Sequence, residues 1–263
     1  MTGRRLSVGL AAAIFIALAA GQSAQAQWHT SLLALRTNGS LMRPGDCVRL
    51  DLLSLDAMPG SLTTRVTYRY TETVTVKDSD GKETTTTRPA TRVLPAGPTV
   101  EGLAPLQRMP LDDTFCYGEG SRPGAYQVEV ALAASAADAP FATLRTCVVF
   151  DNPNTGPAPD ATPSSSAAGC ALLVRGLKRA EAGGTIYFDG NFPGSGLYKA
   201  ALVRGNRIEA VLESGVYQTG PREVLINWPA LHNAAGTDVD LVILDGETGA
   251  STTLARFAVP RGN

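Results

Sequence analysis

The chain has 263 residues, with 23 Lys and Arg against 24 Asp and Glu, which gives a formal net charge of -1. This near-neutral balance, without a basic stripe, argues against nucleic acid or an anionic membrane surface as a partner. After removal of a leader, the length fits two domains of ordinary size.

The first residues have the composition of a secretory leader. Arg4 and Arg5 precede an apolar run over 8–20, and Ala24 and Ala26 form a small-x-small cleavage pattern before Gln27. The apolar run is shorter than the roughly 20 residues that a membrane span needs. We therefore predict a signal peptide over residues 1–26, no transmembrane span after its cleavage, and export to the periplasm, the cell surface or the medium. Loss of the two arginines lowers the net charge from -1 to -3.

A predicted linker divides the mature chain. Residues 151–169 contain four prolines and a serine run, but no aromatic and no large aliphatic residue. Such a segment cannot bury enough apolar surface to offset its ordering entropy. We predict an extended spacer there, between one domain over 27–150 and a second over 170–263.

The first domain shows the period-two alternation that is typical of half-buried strands. Apolar residues alternate with Cys47, Arg49 and Asp51 after a Pro-Gly turn, and residues 125–133 alternate in the same way. Residues 98–111 look irregular, with short strand pieces, residues 112–124 are predicted to form a loop, and 140–151 close the domain. Short strands between turns, without an amphipathic helix, predict an antiparallel β-sandwich.

The longest regular feature is a Thr-rich hairpin over residues 65–93. Its strands, 65–77 and 82–93, flank a turn at Asp78–Gly81 and exceed the usual strand length, so we expect the tip to project. A long, weakly charged edge can pair with another chain, although Lys77, Lys82 and Arg88 could equally protect it. The residues assigned to this possible interaction hairpin are Thr71, Thr73, Thr75, Thr84 and Thr86.

Two phrases of the first domain, RPGDCVRLDLLSLD and RPGAYQVEV, resemble strands of Ig-like and macroglobulin-type bacterial surface domains. In the second domain, Gly183-Gly184-Thr185 opens a strand that ends at Gly190-Asn191-Phe192, and further strands follow up to about residue 260. This order resembles that of IPT/TIG domains, an immunoglobulin-like family. The resemblances imply an all-β chain of two tandem immunoglobulin-like antiparallel β-sandwiches.

The cysteines are Cys47, Cys116, Cys147 and Cys170. An even number in an exported chain predicts two disulfides, for which three pairings are possible. In the Ig-like topology that the resemblance implies, the first three lie toward one end of a sandwich. This favours Cys47–Cys116 and Cys147–Cys170, while a bridge from Cys147 to Cys47 or Cys116 stays open.

Catalytic and metal-binding patterns are weak. His29 and His232 are the only histidines, so we predict no catalytic residues, no zinc site and no cofactor, and we expect no enzyme. The turn carboxylates Asp78 and Asp80 do not have EF-hand spacing. A minor hypothesis places a cation between Asp112, Asp113 and Glu119, and the alternating Asp238 and Asp240 are interpreted as the solvated face of a strand.

We therefore predict an exported, non-enzymatic protein that acts in binding, adhesion or cell-envelope assembly, with a protein or envelope component as its partner. One alternative is carbohydrate binding at a possible ligand face formed by Tyr187, Tyr198 and Tyr217, since tyrosines can line such a face. Another is a structural subunit that assembles through the hairpin over 65–93. Trp228 is predicted to lie in the core at a strand end.

Overall fold

The computed structural model describes residues 32–117, 123–150, 170–181, 184–192, 198–213, 215–220, 223–228 and 236–259. The predicted leader, the predicted linker, Glu119 and both histidines lie outside the described residues, as do the side chains of Asp112 and Asp113. Within the described ranges, no helix has the length and apolar character needed to cross a bilayer.

Seventeen β-strands account for most of the described residues. In chain order they are β1 (Leu33–Thr37), β2 (Leu41–Met42), β3 (Cys47–Ser54), β4 (Met58–Lys77), β5 (Glu83–Ala96), β6 (Val100–Leu103), β7 (Arg108–Cys116), β8 (Gly124–Ala133), β9 (Ala142–Phe150), β10 (Leu173–Glu181), β11 (Thr185–Asn191), β12 (Tyr198–Arg204), β13 (Arg207–Leu212), β14 (Val216–Gly220), β15 (Glu223–Asn227), β16 (Asp238–Asp245) and β17 (Ala250–Ala258). The predicted all-β class is confirmed.

The strands form three sheets. One has the order β1-β3-β7, and another the order β10-β11-β15-β14. The third, a ten-stranded sheet, runs β13-β12-β16-β17-β9-β8-β4-β5, with β2 beside β9 and β6 beside β4. The pairs are antiparallel except those of β9 with β17 and with β2. The long sheet therefore joins strands from both sides of the predicted linker.

Each half of the chain closes its own sandwich. In the first, the three-stranded sheet packs on β4, β8 and β9, around buried aromatic residues that include Tyr68, Phe115 and Phe150. In the second, the four-stranded sheet packs on β12, β16 and β17, around Phe188 and Trp228. Trp228 is buried as predicted. The two sandwiches thus share one continuous sheet, which the sequence did not predict.

A third apolar cluster lies between the two halves. Ala34 and Leu53 of the first sandwich pack with Ala201, Val203 and further aliphatic residues of β13 and β16 in the second. Leu53 is fully buried, although it lies on the face of β3 that the alternation assigned to solvent. Burial on both faces means that this strand belongs to two cores at once.

Buried hydrogen bonds around the start of β17 stabilise this junction. Ser251 donates to the carbonyl oxygen of Leu35 (2.6 Å), and Ser40 donates to that of Thr253 (2.7 Å). Thr252 Oγ1 accepts from the backbone N–H of Val174 (3.0 Å). Each of these buried hydroxyls therefore has a partner, which removes the cost of burying it.

A buried ionic cluster also bridges the sandwiches. Arg36 on β1 forms ion pairs with Asp51 on β3 and with Asp240 on β16. Arg108 on β7 reaches Asp51 (3.0 Å) and donates to the carbonyl oxygen of Gly205 in the second half (2.8 Å). The interpretation of Asp240 as solvent-facing was wrong, because the first sandwich covers this carboxylate and supplies its cation.

The second correction concerns the segment before Cys116. Residues 98–111 were expected to be irregular with short strand pieces and 112–124 a loop, but β7 runs from Arg108 to Cys116. Strand β7 pairs with β3 from Arg108 to Cys116, with an irregularity near Leu50. The adjacent carboxylates Asp112 and Asp113 suit a loop in sequence terms, and the register leaves both without a partner on β3, so they form a bulge within a strand whose pairing continues on either side.

Both favoured disulfides are present. Cys47 and Cys116 lie directly opposite each other on β3 and β7, and their sulfur atoms are bonded. Cys147 on β9 is bonded to Cys170, where the described chain resumes after the predicted linker. The second bond therefore closes the predicted linker into a loop whose two ends are held together.

Candidate interaction surfaces

The predicted hairpin is longer than expected and extends beyond its sheet. β4 pairs with β5 from Arg65 to Lys77, but with β8 only from Thr63 to Arg69. Beyond Arg69, the only strand beside β4 among the described residues is β5. At about 3.4 Å per residue, this two-stranded part extends roughly 25 Å. We call residues 70–90 the ribbon.

Burial falls steadily along the ribbon. On one face of β4, Tyr68 is fully buried, Tyr70 and Val74 are half-buried, and Val76 is 56% exposed. On β5, nearly every side chain from Glu83 to Val93 is exposed. The apolar face thus begins in the core and ends in solvent, which agrees with the predicted projecting tip.

The turn of the ribbon is ordered by its own carboxylate. Asp78 Oδ1 accepts hydrogen bonds from the backbone N–H groups of Asp80 (3.0 Å) and Lys82 (2.8 Å). Gly81 has a φ of +78°, a conformation that glycine adopts without strain. These bonds give Asp78 a structural role in the turn.

The same turn fixes which backbone groups point outward. The N–H of Asp78 donates to the carbonyl oxygen of Lys82 (3.0 Å), so these two residues form a hydrogen-bonded pair. Hydrogen-bonded and non-hydrogen-bonded pairs alternate along an antiparallel ladder. The pair of Val76 with Thr84 is therefore hydrogen-bonded, and that of Thr75 with Thr85 is not. It follows that Thr85 and Thr87 direct their N–H and C=O groups away from β4.

Pro89 agrees with this assignment. It lies opposite Thr71 at a non-hydrogen-bonded position of the β4–β5 ladder, so its missing N–H would point to the outer edge. Proline in a sheet is confined to such edge positions. β5 ends the long sheet, and no other described strand pairs with it. The outer edge of β5 thus offers backbone donors at Thr85 and Thr87, and loses its donor at Pro89.

The predicted threonines divide between the two faces of the ribbon. Thr84 and Thr86 lie on the face of Val74 and Val76, opposite which they pair. Thr71, Thr73 and Thr75 lie on the other face, where the hydroxyls of Thr75 and Thr85 are 3.3 Å apart. The side chain of Thr73 is not among those described.

Charged groups fix the ribbon where it leaves the sandwich. Glu129 on β8 accepts from Arg69 (2.9 Å) and from Arg145 (3.2 Å). Burial raises the pKa of the Glu129 carboxyl, but the hydrogen bonds and positive charges of the two arginines outweigh this and lower it below its ordinary value. Further out, Arg88 pairs with Glu72 (2.5 Å), directly across the two strands.

A row of side chains crosses the four-stranded sheet of the second sandwich. Tyr187 lies directly opposite Leu225, and Leu225 opposite Tyr217, so all three share one face. Tyr217 is 56% exposed. The guanidinium of Arg179 lies 3.6 Å from the ring centre of Tyr187, and it pairs with Glu223 (3.3 Å). We call Tyr187, Leu225 and Tyr217 the tyrosine row.

Tyr198 does not belong to this face. It is 4% exposed and packs against Phe192 in the second core, with ring centres 4.9 Å apart. Burial, together with the negative charges of Asp245 and Glu247, raises the pKa of its hydroxyl. The structure thus brings together two of the three predicted tyrosines and assigns the third to packing.

The described residues contain no group of three or more His, Cys, Asp or Glu side chains placed to hold a metal ion. The arrangement that sequence reasoning missed is the ionic cluster of Arg36, Asp51, Asp240 and Arg108. Its members look like ordinary strand surface in the sequence, and only the register between the halves brings them together.

No protein-family model matches the chain, and no curated protein matches it. Similar solved structures include a Salmonella alpha-2-macroglobulin reacted with methylamine, with 12% identity, a TM-score of 0.28, and coverage of 88% of this chain and 15% of that one. A CARDB domain from Pyrococcus furiosus has 12% identity, a TM-score of 0.22, and coverage of 45% and 89%. A Pseudomonas fluorescens alkylpurine DNA glycosylase has 12% identity, a TM-score of 0.25, and coverage of 45% and 30%.

The chain thus spans less than a third of the length of the macroglobulin and of the glycosylase. Likenesses with such low TM-scores do not identify a family, and the resemblance to IPT/TIG domains stays a prediction.

Proposed function

We propose that this protein is an exported, non-enzymatic binding protein of the cell envelope, which engages its partner by strand addition at the ribbon. The proposal rests on the outer edge of β5, beside which no described strand lies. Exposed residues continue along this edge for most of a long strand. In strand addition, main-chain hydrogen bonds supply affinity and alternate side chains supply specificity.

Two features support this use of the edge. Sheet proteins blunt an exposed edge by shortening, bulging or covering it, or with charged side chains and proline; β5 carries Arg88 and Pro89 but runs uncovered by any described strand from Glu83 to Ala96. The two disulfides fit an oxidising compartment, in which a protein of the envelope would fold.

The first test uses a pair of substitutions at Thr87. Thr87→Pro removes an outward N–H at a position where the ribbon itself needs none, and Pro89 already shows that β5 accepts proline at such a position. Thr87→Ala removes the side chain but keeps the N–H. We expect Thr87→Pro to lower the fraction of purified protein retained by washed cell envelopes at least about tenfold, and Thr87→Ala to change it little.

Replacement of residues 71–89 by an Asn-Gly turn is the matching deletion. It joins Tyr70 to Ala90, which already lie opposite each other as a hydrogen-bonded pair, and Asn-Gly favours a tight hairpin turn. We expect binding to be lost while the thermal midpoint stays nearly unchanged, because the removed side chains contribute little to the core. Equal retention of the deleted and the complete protein would contradict the proposal.

The tyrosine row supports a second candidate function, carbohydrate binding by the second sandwich. Two tyrosines and a leucine on one flat face offer apolar surface to a sugar ring, and Arg179 and Glu223 at its border offer hydrogen-bonding groups. Tyrosine is suited to such a role because its ring is apolar and its hydroxyl polar.

Tyr217→Ala tests this candidate on a glycan array. For any glycan that binds, we expect the affinity to fall about tenfold, because an exposed aromatic anchor supplies a large part of the energy of such a contact. Leu177→Ala, at an exposed apolar residue of the same sheet outside the tyrosine row, should leave binding unchanged. If no glycan binds, or if both variants bind alike, the row is not a sugar site.

A further inference from the structure

We propose that the strand that pairs with β5 is β5 of a second copy, so that two ribbons join about a two-fold axis into a four-stranded sheet. This inference rests on the proposed function, because it names the partner that uses the same edge. Two copies related by such an axis present the same surface to each other. The ribbon contains three basic and four acidic residues, and Arg92 just beyond it balances the charge, so net charge does not oppose the contact.

Symmetry limits the registers that are possible. Strands related by a two-fold axis perpendicular to the sheet run antiparallel and keep their faces, so one residue of β5 must lie opposite its own copy. A pairing about Thr85 would place Arg88 opposite Lys82 of the second copy. A pairing about Thr87 would place Arg92 opposite the same lysine. Like charges directly opposite each other are destabilising, which disfavours both.

A pairing about Thr84 has a different defect. It would place Thr87 opposite Gly81 of the second copy, as a hydrogen-bonded pair in which the N–H of Gly81 would have to donate to Thr87. That N–H already donates to the carbonyl oxygen of Asp78 within the turn (3.1 Å). Breaking this bond would destabilise the turn, and a buried N–H without a partner costs free energy.

The register about Thr86 pairs the two copies from Glu83 to Pro89 without facing like charges and without the N–H of Gly81, which would lie opposite Thr91 only at the outer end of the ladder. Thr85 then lies opposite Thr87 of the second copy, and each of these residues directs both its N–H and its C=O group outward. Glu83 lies opposite Pro89, which lacks a donor but can accept the N–H of Glu83 through its carbonyl oxygen. Arg88 lies opposite Thr84, and no like charges face each other. Threonine pairs across strands are favourable in such ladders.

The shape of the molecule fits the same register. Arg92 would lie opposite the turn residue Asp80 of the second copy. Arg92 also pairs with Tyr68, which is fully buried, so it marks where the ribbon enters its sandwich. The tip of each ribbon therefore reaches the base of the other and stops there, and the two sandwiches lie at opposite ends of the shared sheet.

Cysteine crosslinking tests the register directly. Thr86 and its copy would form a non-hydrogen-bonded pair, with Cα atoms about 4.5 Å apart, a distance that a disulfide can bridge. Thr84 and its copy would be separated by four residues along the strand, or roughly 13 Å. The four native cysteines are already bonded. We expect Thr86→Cys to form covalent dimers under mild oxidation at least about tenfold faster than Thr84→Cys, as measured by non-reducing electrophoresis.

Sedimentation of the unsubstituted protein provides a second measurement. We expect a concentration-dependent dimer, and a monomer for Thr87→Pro. Equal crosslinking of the two cysteine variants, faster crosslinking of Thr84→Cys, or a monomer at every concentration up to about 100 μM would overturn this inference. If Thr87→Pro abolishes envelope binding while the unsubstituted protein stays monomeric, another chain uses the edge, and the proposed function stands without this inference.

Discussion

Replacement of Arg36 by methionine is expected to lower the free energy of unfolding by about 3–5 kcal/mol, the cost of breaking a buried ion pair by removing one partner. Arg36 has a side-chain exposure of 13%, and its partners Asp51 and Asp240 have 5% and 10%. Methionine fills a similar volume, so the loss reports the charge. Asp51 keeps Arg108 (3.0 Å), whereas Asp240 loses the one cation that pairs with it among the described residues and stays buried.

The effect should appear as one shifted transition in chemical denaturation, because the cluster lies between sandwiches that share a sheet. Arg204→Met is the matched control, since Arg204 forms an exposed ion pair with Glu209 (3.1 Å) in the second sandwich. Exposed pairs contribute about 0.5 kcal/mol or less. If Arg36→Met cost no more than Arg204→Met, the cluster would contribute nothing to joining the halves.

Removal of the Cys47–Cys116 disulfide by alanine substitution of both residues is expected to cost about 4 kcal/mol. Its cysteines are separated by 69 residues, against 23 for Cys147 and Cys170. A crosslink restricts the unfolded chain more when it closes a longer loop, so removing the Cys147–Cys170 bond in the same way should cost about 3 kcal/mol.

Chemical denaturation of the two double-alanine variants measures this difference. The prediction concerns the order of the two losses as well as their size. A larger loss for the Cys147–Cys170 variant would show that this bond stabilises the native junction beyond its effect on the unfolded chain.

Local pattern was sufficient to predict the sandwich class and most of the strands, because each strand buries one face and so produces the alternation, but it missed the end of β7, where Asp112 and Asp113 suggest a loop. It was not sufficient to predict what covers the other face. Asp51, Leu53 and Asp240 look like solvent-facing strand residues, yet all three are buried where the halves meet. The hydroxyls of Ser251 and Thr252 likewise look like a polar face, and they serve as buried donors and acceptors.

The same limit applies to the candidate surfaces. Alternation predicted the ribbon, because both of its strands and their turn lie close together in sequence. The tyrosine row depends on the register of three strands, which spacing alone does not give, so Tyr198 was grouped with residues whose face it does not share. Pro89 was a usable signal, since proline in a long strand indicates an outer edge and its orientation.

The position of β17 has a consequence for how the molecule is assembled. It is the last described strand in the sequence, yet it lies near the middle of the long sheet, between β16 and β9. The proposed export delivers the chain from its N-terminus, so the part of the β9 edge that β17 covers stays open until Ala250 has arrived. Contacts between parts so distant in sequence form slowly, and uncovered strand edges promote aggregation. The chain therefore has its greatest need of a chaperone between the arrival of β9 and the arrival of β17.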